Sequence, residues 1–181
     1  MPKHAAFLRA INLGRNRRVS SAELRSQFER LGFRDVDTFR TSGNVVFEAD
    51  REPVAKMSER IEAGLGASLG YDVGIFLRTA REIRALAEHE PFPGPLVEAS
   101  KGKLQVMLLS VKPPARARKQ VLALATDADR LAFGDRELYW LPSGGTQDSA
   151  LDQRAIGESL GSTTMRTKGT IDQLAANYFA G

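Results

Sequence analysis

The chain has 181 residues, of which 42% are hydrophobic and 27% are charged, with a net charge of +4 and no cysteine. This composition is typical of a folded protein of one or two domains, and it excludes a disulfide framework and a thiolate metal site. The apolar run at the N-terminus is too short for an export signal or a membrane span, so we expect a cytoplasmic protein that does not act at a membrane.

The first half of the chain predicts the element order β-α-β-β-α-β. Residues 3–11 are mostly apolar and predict a strand inside a sheet, and "SSAELRSQFERLG" follows with helical spacing, a serine cap and a glycine stop. "DVDTFR" and "NVVFEA" predict strands joined by a hairpin at "TSG", where Gly43 can adopt a positive φ. A helix in "PVAKMSERIEAGLGASLG" and a strand in "DVGIFLR" complete a ferredoxin-like unit.

The second half repeats the order β-α-β-β-α. After a helix in "TAREIRALAEH" come a strand in "KLQVMLLSV", a helix in "PPARARKQVLALA", a hairpin across Gly134-Asp135 and a helix in "SALDQRAIGESLG". In place of a final strand, the remaining sequence predicts a polar linker and a terminal helix. We therefore predict an α+β protein of two ferredoxin-like β-α-β-β-α subdomains with antiparallel sheets and an extra C-terminal helix, divided as 1–90 and 91–181.

Three segments resemble a bacterial family known only as domain-of-unknown-function family 1697. They are "FLRAINLG", "ELRSQFERLGFRDVDTFRTSGNVVFEA" and "TTMRTKGTIDQLA", in that order along the chain. The resemblance implies a shared fold but no activity. The family usually has glycine where this chain has Ala10 and Arg15, and asparagine and tryptophan where Thr167 and Lys168 follow Arg166.

The basic segment "NLGRNRR" is the leading candidate for a ligand site. It joins the first strand to the first helix, so Arg15, Arg17 and Arg18 should lie near a helix N-terminus, where backbone amides already favour an anion. Guanidinium groups match the geometry of phosphate and carboxylate. Alternatively, these arginines only keep an exposed loop solvated or pair with nearby glutamates.

The "TSGN" turn could add polar groups to this site. If the first and third strands are neighbours, a cluster of five side chains could orient a ligand, namely Arg9, Asn12, Arg40, Ser42 and Asn44. The alternative is ordinary turn chemistry, because serine, glycine and asparagine form turns for reasons unrelated to ligands.

Other candidate features are weaker. Arg166 and Lys168 offer a second cationic patch on a threonine-rich linker, with a solvated linker as the alternative. The histidines, His4 and His89, have no partner at metal-ligand spacing, so we expect surface residues and no metal site. Aromatic residues near the predicted hairpins could stack RNA bases, but they are expected in the core because the RNA-recognition signature is missing.

These observations favour a cofactor-free protein that binds a phosphate-bearing small molecule or nucleic acid at the basic loop. One alternative is a small phosphotransfer or phosphohydrolase enzyme, in which arginine and asparagine position a phosphoryl group, as acylphosphatases do on this kind of fold. Another is an interaction module that pairs a sheet edge with a second protein.

Overall fold

The computed structural model describes residues 1–9, 19–40 and 43–181. The first run of elements is β1 (Lys3–Arg9), α1 (Ser21–Arg30), β2 (Arg34–Thr38), β3 (Asn44–Glu48), α2 (Val54–Leu69), β4 (Gly74–Thr79) and α3 (Ala80–Glu88). The second run is α4 (Gly94–Ala99), β5 (Gln105–Leu109), α5 (Ala115–Leu122), β6 (Asp129–Phe133), β7 (Glu137–Pro142), a 3-10 helix (Thr146–Asp148), α6 (Gln153–Leu160), β8 (Thr163–Thr167) and α7 (Lys168–Tyr178). Among these residues, every helix is too short or too polar to cross a membrane.

The strands form two four-stranded sheets with the orders β2-β3-β1-β4 and β6-β7-β5-β8. Neighbouring strands are antiparallel in both sheets. In each sheet the first strand of the run is central, and the run's second and fourth strands form the edges. This is the ferredoxin-like arrangement, so the predicted α+β fold class is confirmed.

The core of the first sheet lies beneath α1 and α2. These helices bury apolar side chains at helical spacing, namely Leu24 and Phe28 from α1 and Met57, Ile61 and Leu65 from α2. They pack with strand residues of one sheet face, including Ala6, Leu8, Val45 and Phe47. Each large apolar side chain buried in this way stabilises the fold by about 1.5–3 kcal/mol.

The second sheet has its own core. Met107, Leu138 and Trp140 pack with Val121 of α5 and Ile156 of α6. Chain contacts divide the protein into two compact units, one comprising Met1–Ala85 with Leu174–Gly181 and the other Leu86–Gln173. The division therefore falls once within α3 and once within α7.

Two elements differ from the sequence prediction. The predicted polar linker contains strand β8, which pairs with β5 and completes the second β-α-β-β-α-β repeat. Its threonines are β-branched and suit a strand, and alternate residues, Thr164 and Arg166, are buried. The proline-rich segment after α3 forms α4, which begins after Pro93 because proline fits a helix start.

Candidate functional site

Several predicted site residues lie at one end of the first sheet, where β1 ends and β3 begins. The Leu8 N–H donates to the Gly43 carbonyl oxygen at 2.8 Å, which places the hairpin beside the C-terminal end of β1. Phe7 pairs with Asn44, and Arg9 pairs with Gly74 of β4. We call this region the hairpin edge, comprising Arg9, Phe39, Arg40, Gly43 and Asn44.

Asn44 closes the hairpin. It is 1% exposed, and its Nδ2 donates to the Phe39 carbonyl oxygen at 2.8 Å. In return, the Phe39 N–H donates to the Asn44 carbonyl oxygen at 2.9 Å. Gly43 has a φ of 76°, the positive value that the sequence predicted. Turn chemistry therefore accounts for the glycine and for these Asn44 contacts.

Arg40 differs from the other hairpin residues because its side chain is exposed while its backbone is constrained. Its φ is 59°, in the left-handed region that residues other than glycine, asparagine and aspartate rarely adopt. The guanidinium carbon lies 5.5 Å from the centre of the Phe39 ring. Arg9, at the end of β1, is also exposed. The hairpin edge thus presents at least two guanidinium groups to solvent.

The N-terminus of α1 carries its own carboxylate. The Glu23 N–H donates to Ser20 Oγ at 3.1 Å, and the Ser20 N–H donates to Glu23 Oε2 at 3.1 Å, which forms a capping box. The carboxylate occupies the position where an anion was expected to meet the helix dipole. An anion at this end of the unit would therefore depend on arginines more than on helix amides.

Five of the predicted ligand-binding residues lie outside the described residues. They are Asn12, Arg15, Arg17, Arg18 and Ser42. The first four belong to the segment between Arg9, the last residue of β1, and Val19. They therefore follow the hairpin edge directly in the sequence.

Arg166 and Lys168 do not form an exposed patch on a linker. Arg166 is a strand residue with 9% exposure, and its guanidinium donates to Thr164 Oγ1 at 2.8 Å and to the Met165 carbonyl oxygen at 2.9 Å. Burial lowers the pKa of Arg166 to about 10. Lys168 Nζ donates to the Ala87 carbonyl oxygen at 3.0 Å and to Asp172 at 2.6 Å. Both side chains therefore make internal contacts.

Sequence reasoning missed a polar cluster beside the hairpin edge. The Tyr178 hydroxyl donates to Asp37 Oδ2 at 2.7 Å, while Arg25 and the Thr38 N–H donate to Asp37 Oδ1 at 3.0 and 2.8 Å. The bond from Tyr178 is the largest factor that lowers the pKa of Asp37. Burial and the same bond raise the pKa of Tyr178 to about 12. Nothing close to Tyr178 in the sequence indicates this partner, because Asp37 is 141 positions away.

His4 is not the surface residue that the sequence predicted. It lies in the central strand β1 with 5% exposure, and its ring stacks on Phe47 with 5.7 Å between ring centres. Its Nδ1 is buried without a hydrogen-bond partner. His89 is exposed, as predicted. The part of the chain that the structure describes contains no cluster of three or more metal-ligating side chains.

A groove of about 610 Å³ lies beside α4 in the second unit. Its lining includes Phe92, Leu96, Asp127 and Arg130. Asp127 lies 3.7 Å from Arg130, so the two charges offset each other and the groove has no dominant sign.

The repeated ferredoxin-like units and the hairpin edge define an α+β protein of known architecture. Residues 1–139 match the profile of the family described as "Protein of unknown function (DUF1697)", and the chain belongs to that family. Two of the three segments that carry the resemblance lie within the matched residues. The third follows residue 139.

The fold is similar to that of a solved structure of a conserved bacterial protein from Streptococcus pneumoniae, with a TM-score of 0.74, 20% sequence identity and coverage of 98% of each chain. At this identity the likeness shows the fold alone. No curated protein matches the chain in sequence.

Proposed function

We propose that this protein binds a phosphate-bearing ligand at the hairpin edge, together with the basic segment that follows β1. The observation that carries the proposal is Arg40, an exposed arginine with a φ of 59°. A left-handed conformation costs an ordinary side chain about 1–2 kcal/mol, which glycine or asparagine at this position would avoid. Strain of this kind is characteristic of functional sites, where the side chain is needed for another purpose.

Three further features support an anionic ligand. Arg9 ends β1 at the same edge, and the next nine residues include Arg15, Arg17 and Arg18. The nearby carboxylate of Asp37 already accepts bonds from Tyr178 and Arg25 and is therefore not available to neutralise the edge. Guanidinium groups bind phosphate through paired hydrogen bonds, which gives both affinity and orientation.

The test measures binding of pyrophosphate, ATP and short single-stranded RNA by calorimetry and thermal shift at low and high salt. A ligand at 100 times its dissociation constant should stabilise the protein by about 2.7 kcal/mol, which corresponds to a rise in Tm of about 5–10 °C for a chain of this size. We expect at least one probe to bind, with an affinity that decreases as salt is added.

Two double variants separate the site from the overall charge. Arg9→Ala with Arg40→Ala should weaken binding at least about tenfold, because hydrogen bonds to charged groups contribute about 1.5–3 kcal/mol each. Arg51→Ala with Arg81→Ala removes the same charge from exposed positions that follow β3 and β4, at the opposite end of the same sheet. Equal weakening by both pairs would show a nonspecific charge effect and would refute the proposed site.

A triple variant tests the basic segment separately. Replacing Arg15, Arg17 and Arg18 by alanine should also reduce affinity and flatten the salt dependence. Unchanged affinity would remove the segment from the site, while turnover of an acyl phosphate by the unmodified protein would favour the enzymatic alternative.

A further inference from the structure

We infer that Tyr178 is a positioning residue for the hairpin edge, so that docking of the C-terminal end of α7 controls binding there. This inference rests on the proposed function for its ligand and on the described contacts for its geometry. All of the residues involved belong to the first unit, although Tyr178 and Asp37 are 141 positions apart in sequence.

Tyr178 contacts the hairpin in two ways. Its hydroxyl donates to Asp37, whose Oδ1 also accepts the Thr38 N–H at 2.8 Å, so the bond fixes the last residues of β2. Its ring meets the Phe39 ring edge-on, with ring centres 6.0 Å apart and planes at 80°. Edge-to-face aromatic pairs of this kind favour one relative orientation of the two rings.

Phe39 transmits this restraint to the site. The guanidinium carbon of Arg40 also lies 5.5 Å from the centre of its ring. Its backbone exchanges hydrogen bonds with Asn44 at the base of the hairpin. Without Tyr178, the Phe39 ring would gain freedom, and Arg40 would lose a fixed surface in a backbone conformation that is already strained.

Two sites that restrain the same element must influence each other reciprocally. A phosphate-bearing ligand that orders Arg40 should therefore also favour the docked position of Tyr178. The hydroxyl bond to Asp37 gives the docked state a spectroscopic signature, because burial and this bond raise the pKa of Tyr178 to about 12.

The test compares Tyr178→Phe, Tyr178→Ala and the control Asn177→Ala, which alters an exposed neighbour on α7. We expect pyrophosphate affinity to fall about fivefold or more in Tyr178→Ala and by a smaller factor in Tyr178→Phe, which keeps the ring contact with Phe39. Asn177→Ala should bind as the unmodified protein does. Equal affinity in all three variants would overturn the inference.

Amide hydrogen exchange provides a second readout that needs no ligand. The Phe39 N–H, which bonds to Asn44, should exchange at least about fivefold faster in Tyr178→Ala, whereas the Ala49 N–H, which bonds to Pro2 at the other end of the sheet, should not change. Faster exchange without any anion binding in the unmodified protein would support the coupling and refute the proposed function. Unchanged exchange at Phe39 would overturn the coupling itself, and a uniform acceleration at both amides would indicate general destabilisation and also count against it.

Discussion

Replacing the buried carboxylate of Asp129 by alanine should destabilise the second unit strongly. Asp129 is 4% exposed and accepts hydrogen bonds from Trp140 Nε1 at 2.9 Å and from Ser149 Oγ at 2.7 Å. Trp140 is fully buried, so its indole N–H has no access to water if this acceptor is removed. The Ser149 hydroxyl is only half-buried and can rotate toward solvent.

The size of the effect follows from these differences. A stranded buried donor costs about 1–3 kcal/mol, and the lost bond from Ser149 adds to that, so we expect Asp129→Ala to cost about 3 kcal/mol. Asp129→Asn keeps an acceptor oxygen in the same place and loses only the charge, which should cost about 1 kcal/mol. For a chain of this length these values correspond to a decrease in Tm of about 6–12 °C and about 2–4 °C.

The assay is urea unfolding followed by tryptophan fluorescence. Trp140 is the one tryptophan of the chain, so its emission reports the second unit directly. Asp127→Ala is the matched control, because that side chain is fully exposed and its pair with Arg130 spans 3.7 Å, a surface interaction that contributes little to stability. If Asp129→Asn proved as costly as Asp129→Ala, or if Asp129→Ala matched the control, the hydrogen-bond reasoning would be refuted.

Three other predictions concern single residues. Burial lowers the pKa of His4 below its ordinary 6.5, so the unfolded chain takes up a proton first and the free energy of unfolding should decrease as pH falls below about 6.5. Urea unfolding at several pH values tests this: His4→Phe should remove the pH-dependent contribution, and His89→Gln should not. Gly102→Ala should cost about 1–3 kcal/mol in thermal unfolding, because a Cβ there would overlap backbone carbonyl oxygens, whereas Gly144→Ala meets no atom within 4 Å and should unfold nearly as the unmodified protein does. Arg40→Asn should be about 1 kcal/mol more stable than Arg40→Ala, since asparagine tolerates the left-handed backbone, while both variants should lose anion affinity equally. Equal stability of the two variants would mean that no backbone strain is present.

Local patterns in the sequence were enough to predict most of the elements. Leu24 and Phe28 mark the buried stripe of α1, and Thr79 and Glu82 form a capping box at the start of α3. Gly43 adopts the positive φ predicted for the first hairpin. Each of these features depends on residues close together in the chain, so the side-chain types and their spacing are sufficient.

Patterns failed where a residue's environment is set by distant parts of the chain. The β8 sequence is polar in composition, and its pairing with β5 depends on a strand about 60 residues earlier, which spacing alone does not reveal. Likewise, the apolar sequence around His4 predicted a strand inside the sheet, but the sequence did not indicate that the imidazole is buried there.

The candidate site divides in the same way. Charge and spacing along the chain show that arginines cluster after the first strand and that a glycine-containing turn joins the next two strands. Folding brings Arg9 and Arg40 to one end of a sheet, lets Asn44 close the hairpin and buries Arg166. It also brings Tyr178 to Asp37 across 141 positions. Charge and turn preference are properties of neighbouring residues, whereas these contacts exist only once sheet pairing has brought distant segments together.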